Sequence, residues 1–140
     1  MPESIEQETL RTADRRAGQT TRDRAIWAAV TTPLLRAITE SGAAWDDPSE
    51  DLLFELLSDI DRGDEAWFIV ERVADASGQT YIQVIRSKQG NWTVERREGG
   101  PDRHFGVTRA DLRLAHETVT AWAFDLPLLP APGEWSTITL

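Results

Sequence analysis

Few side chains in this sequence occur in patterns that could do chemistry. The two histidines, His104 and His116, belong to no HxH, HxxE or HExxH pattern of the kind that binds metal. The chain has no cysteine, which excludes disulfides, zinc-thiolate sites and cysteine nucleophiles. No serine lies in a G-x-S-x-G motif, and no glycine-rich phosphate loop is present. The sequence therefore predicts no metal, no cofactor and no catalytic constellation.

One alternative is a polar site that could bind an anion or catalyse hydrolysis. Arg72 and Arg96 end the apolar faces of two predicted strands and are expected to project from the same end of a sheet. Two guanidinium groups in that position can clamp a carboxylate or a phosphate. With Glu95, and with His104 as a general base, they would form an anion-binding or small-molecule site or a hydrolase. Pairing of the arginines with local acids is the more common outcome for such residues.

The net charge of −9 is unevenly distributed along the chain. Residues 40–65 hold ten carboxylates and one basic residue, Arg62, whereas residues 86–113 hold seven basic residues and four acidic ones. An acidic protein repels the phosphate backbone, so nucleic acid is not expected as a partner. No apolar stretch approaches the ~18 residues of a membrane span. The acidic, polar start is unlike a secretory leader, so a cytoplasmic location is expected.

The first forty residues have helical patterns. Residues 4–17 offer only a thin apolar face and are expected to form a weakly helical arm, residues 1–19. A second helix is predicted from Thr20 to Gly42, with a kink or break near Thr31 caused by Pro33. Its apolar stripe recurs every four residues and consists of Ile26, Val30, Leu34 and Ile38.

The centre of the chain predicts a helix and then a sheet. Asp47-Pro48-Ser49-Glu50 is a strong helix start, with Asp47 as the N-cap and an end near Asp61. Short turns join the strands that follow, which permits only antiparallel hairpins. Thr108 and Asp111 then open a C-terminal helix, and the proline-rich tail 127–140 is a possible edge strand. Strands are predicted over residues 67–73, 81–85 and 92–94, with a possible fourth over 104–107.

Alternation along these strands separates two faces. One face is consistently apolar and is expected to pack against the C-terminal helix. The other mixes large apolar with polar groups, among them Trp67, Ile69, Tyr81, Gln83 and Ile85. Either the N-terminal helices cover this second face, or it is an open partner surface, because aromatic and aliphatic patches ringed by polar groups typify interfaces.

Four stretches of this region, Gly63–Arg72, Gly78–Gln83, Val94–Gly100 and Ala121–Phe124, resemble small uncharacterised actinobacterial proteins. The resemblance covers roughly residues 63–125 and implies no known activity and no functional residues. The order of helix, antiparallel meander and helix is also similar to that of secretion-chaperone-like and immunity-protein domains. This second likeness is one of architecture, which does not establish function.

The sequence thus predicts a single α+β domain over residues 20–126: N-terminal helices, a three- or four-stranded antiparallel meander and a C-terminal helix packed on the sheet. The expected function is non-enzymatic binding of another protein, of immunity-like or chaperone-like kind. A structural homodimer is a further alternative. The predicted partner site combines Trp67, Ile69, Tyr81, Gln83 and Ile85 with the acidic residues Asp59, Asp61 and Asp64, which would steer a basic partner.

Overall fold

The computed structural model describes residues 32–139, which form one antiparallel sheet with two helices. The strands of the sheet lie in the order β2-β1-β3-β4-β5-β6-β7. Short 3-10 turns occur at Pro101–Arg103 and Pro132–Glu134. In chain order the elements are β1 (Leu35–Thr39), β2 (Ala44–Asp46), α1 (Glu50–Asp61), β3 (Trp67–Arg72), β4 (Thr80–Arg86), β5 (Trp92–Glu98), β6 (His104–Arg109), α2 (Leu112–Ala123) and β7 (Ser136–Thr137).

The α+β class with an antiparallel sheet is confirmed, but the predicted architecture is wrong. The described sheet has seven strands instead of three or four. Leu35–Thr39 was assigned to an N-terminal helix, yet it is a strand that pairs with β2 on one side and β3 on the other. The end of that predicted helix, residues 40–42, is a turn between β1 and β2. Residues 20–31 of the prediction, together with the arm 1–19, lie outside the described residues.

The physical reason for this error is the spacing of the apolar residues. Leu34 and Ile38 are four apart, and a spacing of four places two residues on one face of a helix and also on one face of a strand. The decisive residues are the ones that alternate with them. Leu35, Ala37 and Thr39 are all buried, which is period-two burial of the opposite strand face.

Both helices begin at a side-chain cap. Ser49 caps α1 by accepting a hydrogen bond from the amide of Leu52 at 3.1 Å, and Asp111 caps α2 in the same way. Asp47, the predicted cap, instead has a positive φ of 46° and accepts hydrogen bonds from the amides of Leu34 and Leu35 at 2.9 and 3.0 Å. It thereby joins the start of β1 to the loop before α1.

The core lies between the two helices and one face of the sheet. Sheet residues such as Phe68, Val70 and Val94 are fully buried against Leu53 and Val119 of the helices. The remaining sheet residues of the same cluster include Leu35, Ala37, Ile82, Val84 and Trp92. All the described helices are on this side, which fixes the opposite side of the sheet as a separate surface.

Ala37→Asp tests the register of β1. The substitution places an unpaired charge at a position with 0% exposure, so we expect a loss of roughly 3–5 kcal/mol in the free energy of unfolding. Leu34→Asp is the matched control, since Leu34 is 70% exposed and its change should stay within about 0.5 kcal/mol. Urea unfolding followed by tryptophan fluorescence measures both. If Leu34→Asp lowered the free energy of unfolding more than Ala37→Asp, Leu34 would be the buried residue, as the predicted helix requires.

Candidate functional site

The sheet face opposite the helices is called the open face, because no helix of residues 32–139 packs on it. It carries five of the eight predicted partner-binding residues. Strand register places Trp67 directly opposite Ile85, Ile69 opposite Gln83, and Tyr81 opposite Glu71. The five predicted residues Trp67, Ile69, Tyr81, Gln83 and Ile85 therefore form one continuous area on β3 and β4. Because hydrogen-bonded strands fix these positions, the area is a preformed surface.

Strand β1 extends the apolar part of this area. Ile38 lies opposite Ile69, so Ile38, Trp67, Ile69 and Ile85 form a patch across three strands, hereafter the open-face patch. Ile85 is 36% exposed, and the other three are half-buried among their cross-strand neighbours. Ile38 was missed because its segment was assigned to a helix. Leu35, Ala37 and Thr39 are buried on the other strand face, but a small and a polar residue give no apolar alternation in the sequence that would have indicated a strand.

A row of charged and polar groups crosses the open face beside this patch. Arg36 binds Asp46 at 3.0 Å and lies 3.9 Å from Glu71. The guanidinium of Arg97 lies 5.6 Å from the centre of the Tyr81 ring, within cation–π range. In strand order the row reads Asp46, Arg36, Glu71, Tyr81, Arg97 and His104. The open face thus combines an aliphatic and aromatic area with a polar border.

The predicted steering acids are not part of this surface: Asp59 and Asp61 lie in the last turn of α1, on the helix side of the sheet, and Asp64 lies in the loop that follows. Asp61 binds Arg86, the residue after Ile85, at 2.6 Å, while Asp59 and Asp64 both pair with Arg62. Burial raises the pKa of the Asp59 carboxyl. Arg62 opposes that rise, and the nearby carboxylates of Asp64, Glu65 and Glu55 add to it. The charges of these three acids are thus partly neutralised. Any long-range electrostatic attraction of a basic partner must therefore come from the acidic segment 40–65 as a whole.

The four residues of the alternative anion or hydrolase site are not brought together. Register places Arg72 and Arg96 on the helix side of the sheet, at the same end as expected. Glu95 and His104 lie on the open face instead. The sheet itself therefore separates the two arginines from the predicted base, and no single cavity can contain all four side chains.

Both arginines are occupied by structural contacts. Arg72 stacks 4.2 Å from the Trp122 ring and binds the Trp122 carbonyl at 2.7 Å and Asp125 at 3.2 Å. Arg96 is 8% exposed, binds Glu98 at 3.2 Å, and lies against the rings of Phe105 and Trp135. These hydrogen bonds and ring contacts join the sheet to α2 and to the C-terminal segment. Both arginines are thus paired with local acids, the outcome expected from the sequence as the more common one.

His104 is the centre of a hydrogen-bonded network. Its Nδ1 accepts a hydrogen bond from Nε of Arg97 at 3.1 Å, so Nε2 carries the proton and donates to Glu95 at 2.7 Å. Arg97 also binds Gln79, and the Tyr81 ring meets the imidazole edge-on. Since both ring nitrogens are engaged and the residue is 3% exposed, no lone pair is available for general-base chemistry. The Arg97 contact was not foreseen from the sequence.

The described residues show no other chemical centre. Over residues 32–139 no group of three or more histidine, aspartate or glutamate side chains is arranged to hold a metal ion. Nor does that range contain a helix long and apolar enough to cross a membrane. Comparisons with protein-family models, curated proteins and solved structures find no match to this chain.

His104→Ala tests the structural role of the network. Removing the imidazole leaves Glu95 and Arg97 without a common partner, and we expect a loss of about 1–3 kcal/mol in the free energy of unfolding. His116→Ala is the control, because that ring is half-buried and makes one hydrogen bond, to the Glu50 carbonyl. Urea unfolding compares the two. Equal stability of His104→Ala and the unmodified protein would contradict the structural assignment.

Proposed function

We propose that this chain is a non-enzymatic protein-binding module that binds its partner through the open face. The observation that carries the proposal is the open-face patch of Ile38, Trp67, Ile69 and Ile85, bordered by a charged row. Apolar patches rimmed by polar groups mark interaction surfaces on proteins. The proposed role is of immunity-like or secretion-chaperone-like kind, in which binding itself is the activity.

The composition of the open face supports this proposal. A sheet face with a purely solvating role alternates toward polar residues, whereas β3 places Trp67 and Ile69 there and β4 places Tyr81 and Ile85. Tryptophan and tyrosine supply large contact areas at low entropic cost, which is why they dominate binding hot spots. Gln83, between Ile69 and Glu95, offers an amide that can pair with a partner's backbone.

The distribution of polar groups also favours binding over hydrolysis. The His104 ring has both nitrogens engaged, and the two arginines of the alternative site lie on the other side of the sheet. The anion-binding or hydrolase alternative therefore lacks a specific observation in its favour. A partner with basic residues suits the acidic segment 40–65 and the chain's net charge of −9.

Ile85→Asp tests the open face. An epitope-tagged chain is expressed in its native host, and a photo-crosslinking residue at Gln83 captures whatever contacts this face. We expect one major adduct, reduced more than tenfold by Ile85→Asp, because a charge on the most exposed residue of the patch, beside Trp67, removes its apolar contact. Phe124→Asp is the matched control, with 40% exposure against 36% for Ile85 but no position on the sheet.

The outcomes separate the alternatives. An adduct that survives Ile85→Asp, or one that Phe124→Asp removes equally, would refute the open-face site. An adduct of twice the chain's mass, with a dimer seen by light scattering, would assign the face to self-association instead.

Charge reversal tests steering by the acidic segment. We expect the triple change of Asp59, Asp61 and Asp64 to lysine to lower the association rate with the captured partner at least several-fold at low salt, because steering acts mainly on the on-rate. Stopped-flow fluorescence measures the rate, and circular dichroism confirms the fold. Lys88→Glu is the control for a charge change elsewhere. An unchanged association rate would remove steering from the proposal while leaving the open-face contact intact.

A further inference from the structure

A second apolar surface lies on the helix side of the molecule. A groove of about 360 Å³ runs along the second half of α2, between that helix and the segment Leu126–Leu129. Its apolar floor and walls are formed by Ala121, Leu126, Pro127 and Leu129, with His116 and Thr120. We call it the helix-side groove. It is remote from the open face, since the sheet and both helices separate the two.

The exposed residues around the helix-side groove are unusually large and apolar. Leu126 is 53% exposed, Leu129 is 48% exposed, and Phe54 of α1 is 46% exposed. Phe54 meets the His116 ring edge-on at 5.4 Å between centroids, so it continues the groove toward α1. Single exposed apolar residues are ordinary, whereas a cluster around a concavity marks an interaction site.

The groove is held open by contacts that do not require its exposed leucines. The amide of Leu126 donates to the Ala121 carbonyl at 2.9 Å, where the chain turns back at Asp125 with a φ of 54°. At the other end the Trp135 indole donates to the Pro130 carbonyl at 3.0 Å. Between these anchors Leu128 points into the core. The segment is therefore fixed, and Leu126 and Leu129 face outward from a rigid support.

Carboxylates predominate at the rim. Glu50 and Glu117 line the groove, and Asp51 lies next to Glu50 in the first turn of α1. The only nearby cation in the described contacts is Arg113, which binds Glu117 at 2.8 Å. Of the two carboxylates that line the groove, Glu117 is paired with Arg113, whereas Glu50 has no ion pair among the described residues. A second copy of this chain, with its net charge of −9, is electrostatically a poor occupant, whereas a cationic segment is complementary.

We propose that the helix-side groove binds a short cationic, amphipathic segment of a protein partner. Two aliphatic side chains of that segment enter the groove, since a cavity of about 150 Å³ already holds a benzene-sized group. An arginine or lysine beside them pairs with Glu50 or Asp51. Thr120 lines the groove, and its buried hydroxyl has no hydrogen-bond partner among the described residues. This site is independent of the proposed open-face function.

The test uses the full chain, labelled with ¹⁵N and with ¹³C methyl groups, and two synthetic peptides as probes. One ten-residue peptide carries two leucines four positions apart with three flanking arginines; its twin carries glutamates in place of the arginines. We expect the arginine peptide to shift the NMR signals of Ala121, Leu126 and Leu129 in a saturable manner. The glutamate peptide should bind at least tenfold more weakly, and added salt should weaken the arginine peptide.

Matched variants locate the site. Leu126→Ser combined with Leu129→Ser should weaken the arginine peptide at least tenfold, and the fold should persist because both side chains are about half exposed. Ile85→Ser, on the open face, should leave peptide binding unchanged. If these variants do not affect peptide binding in this way, the open-face proposal is unchanged, because it is tested separately with Ile85→Asp and the cellular partner.

Several outcomes would overturn the proposal. They are the absence of shifts in the groove at millimolar peptide, equal binding of the two peptides, and shifts confined to the open face. Methyl contacts between the groove and residues 1–31 in the free protein would assign the groove to the chain itself. Concentration-dependent shifts of groove signals without peptide would assign it to self-association.

Discussion

Burial of one sheet face against two helices is the interaction on which the rest of the molecule depends. Phe68, Val70 and Val94 are fully buried on the same side of the sheet, facing Leu53 and Val119. Because side chains of a strand alternate, committing these residues to the core commits their neighbours to the opposite side. The positions of Trp67, Ile69, Tyr81 and Ile85 on the open face follow from the core without any further constraint.

The same burial explains why the most suggestive arginines are structural. Arg72 and Arg96 extend from the core strands past the edge of the apolar cluster, where a guanidinium needs both ring faces and acceptors. Trp122 meets both needs of Arg72, since its ring stacks on the guanidinium and its carbonyl accepts a hydrogen bond at 2.7 Å. Its indole also donates to Glu98, the partner of Arg96, at 3.0 Å. An arrangement that resembled an anion clamp in sequence is thus a set of contacts between the sheet, α2 and the C-terminal segment.

Period-two alternation made much of the sheet predictable, and the failures have physical causes. The stretches of β3, β4 and β5 have strong alternation and turn residues between them, so their pairing and their two faces could be deduced. Strand β1 could not, because Leu34 and Ile38 fit a helix and a strand equally well. Strands β2 and β7 have three and two residues, too few to show any period. Their pairing is set by neighbours distant in sequence.

The same limit applies to the candidate site: contacts fixed by neighbouring sequence could be predicted, and contacts that depend on further strand pairing could not. Cross-strand neighbours such as Trp67 and Ile85 could be predicted, because short hairpins fix the register. The engagement of His104 could not, since it depends on β5 and β6 pairing in the register that sets Arg97 opposite the imidazole. That pairing turns a candidate base into a fixed donor and acceptor. The hydrogen bonds of His104 join β5 to β6 and hold that part of the open face in a fixed arrangement.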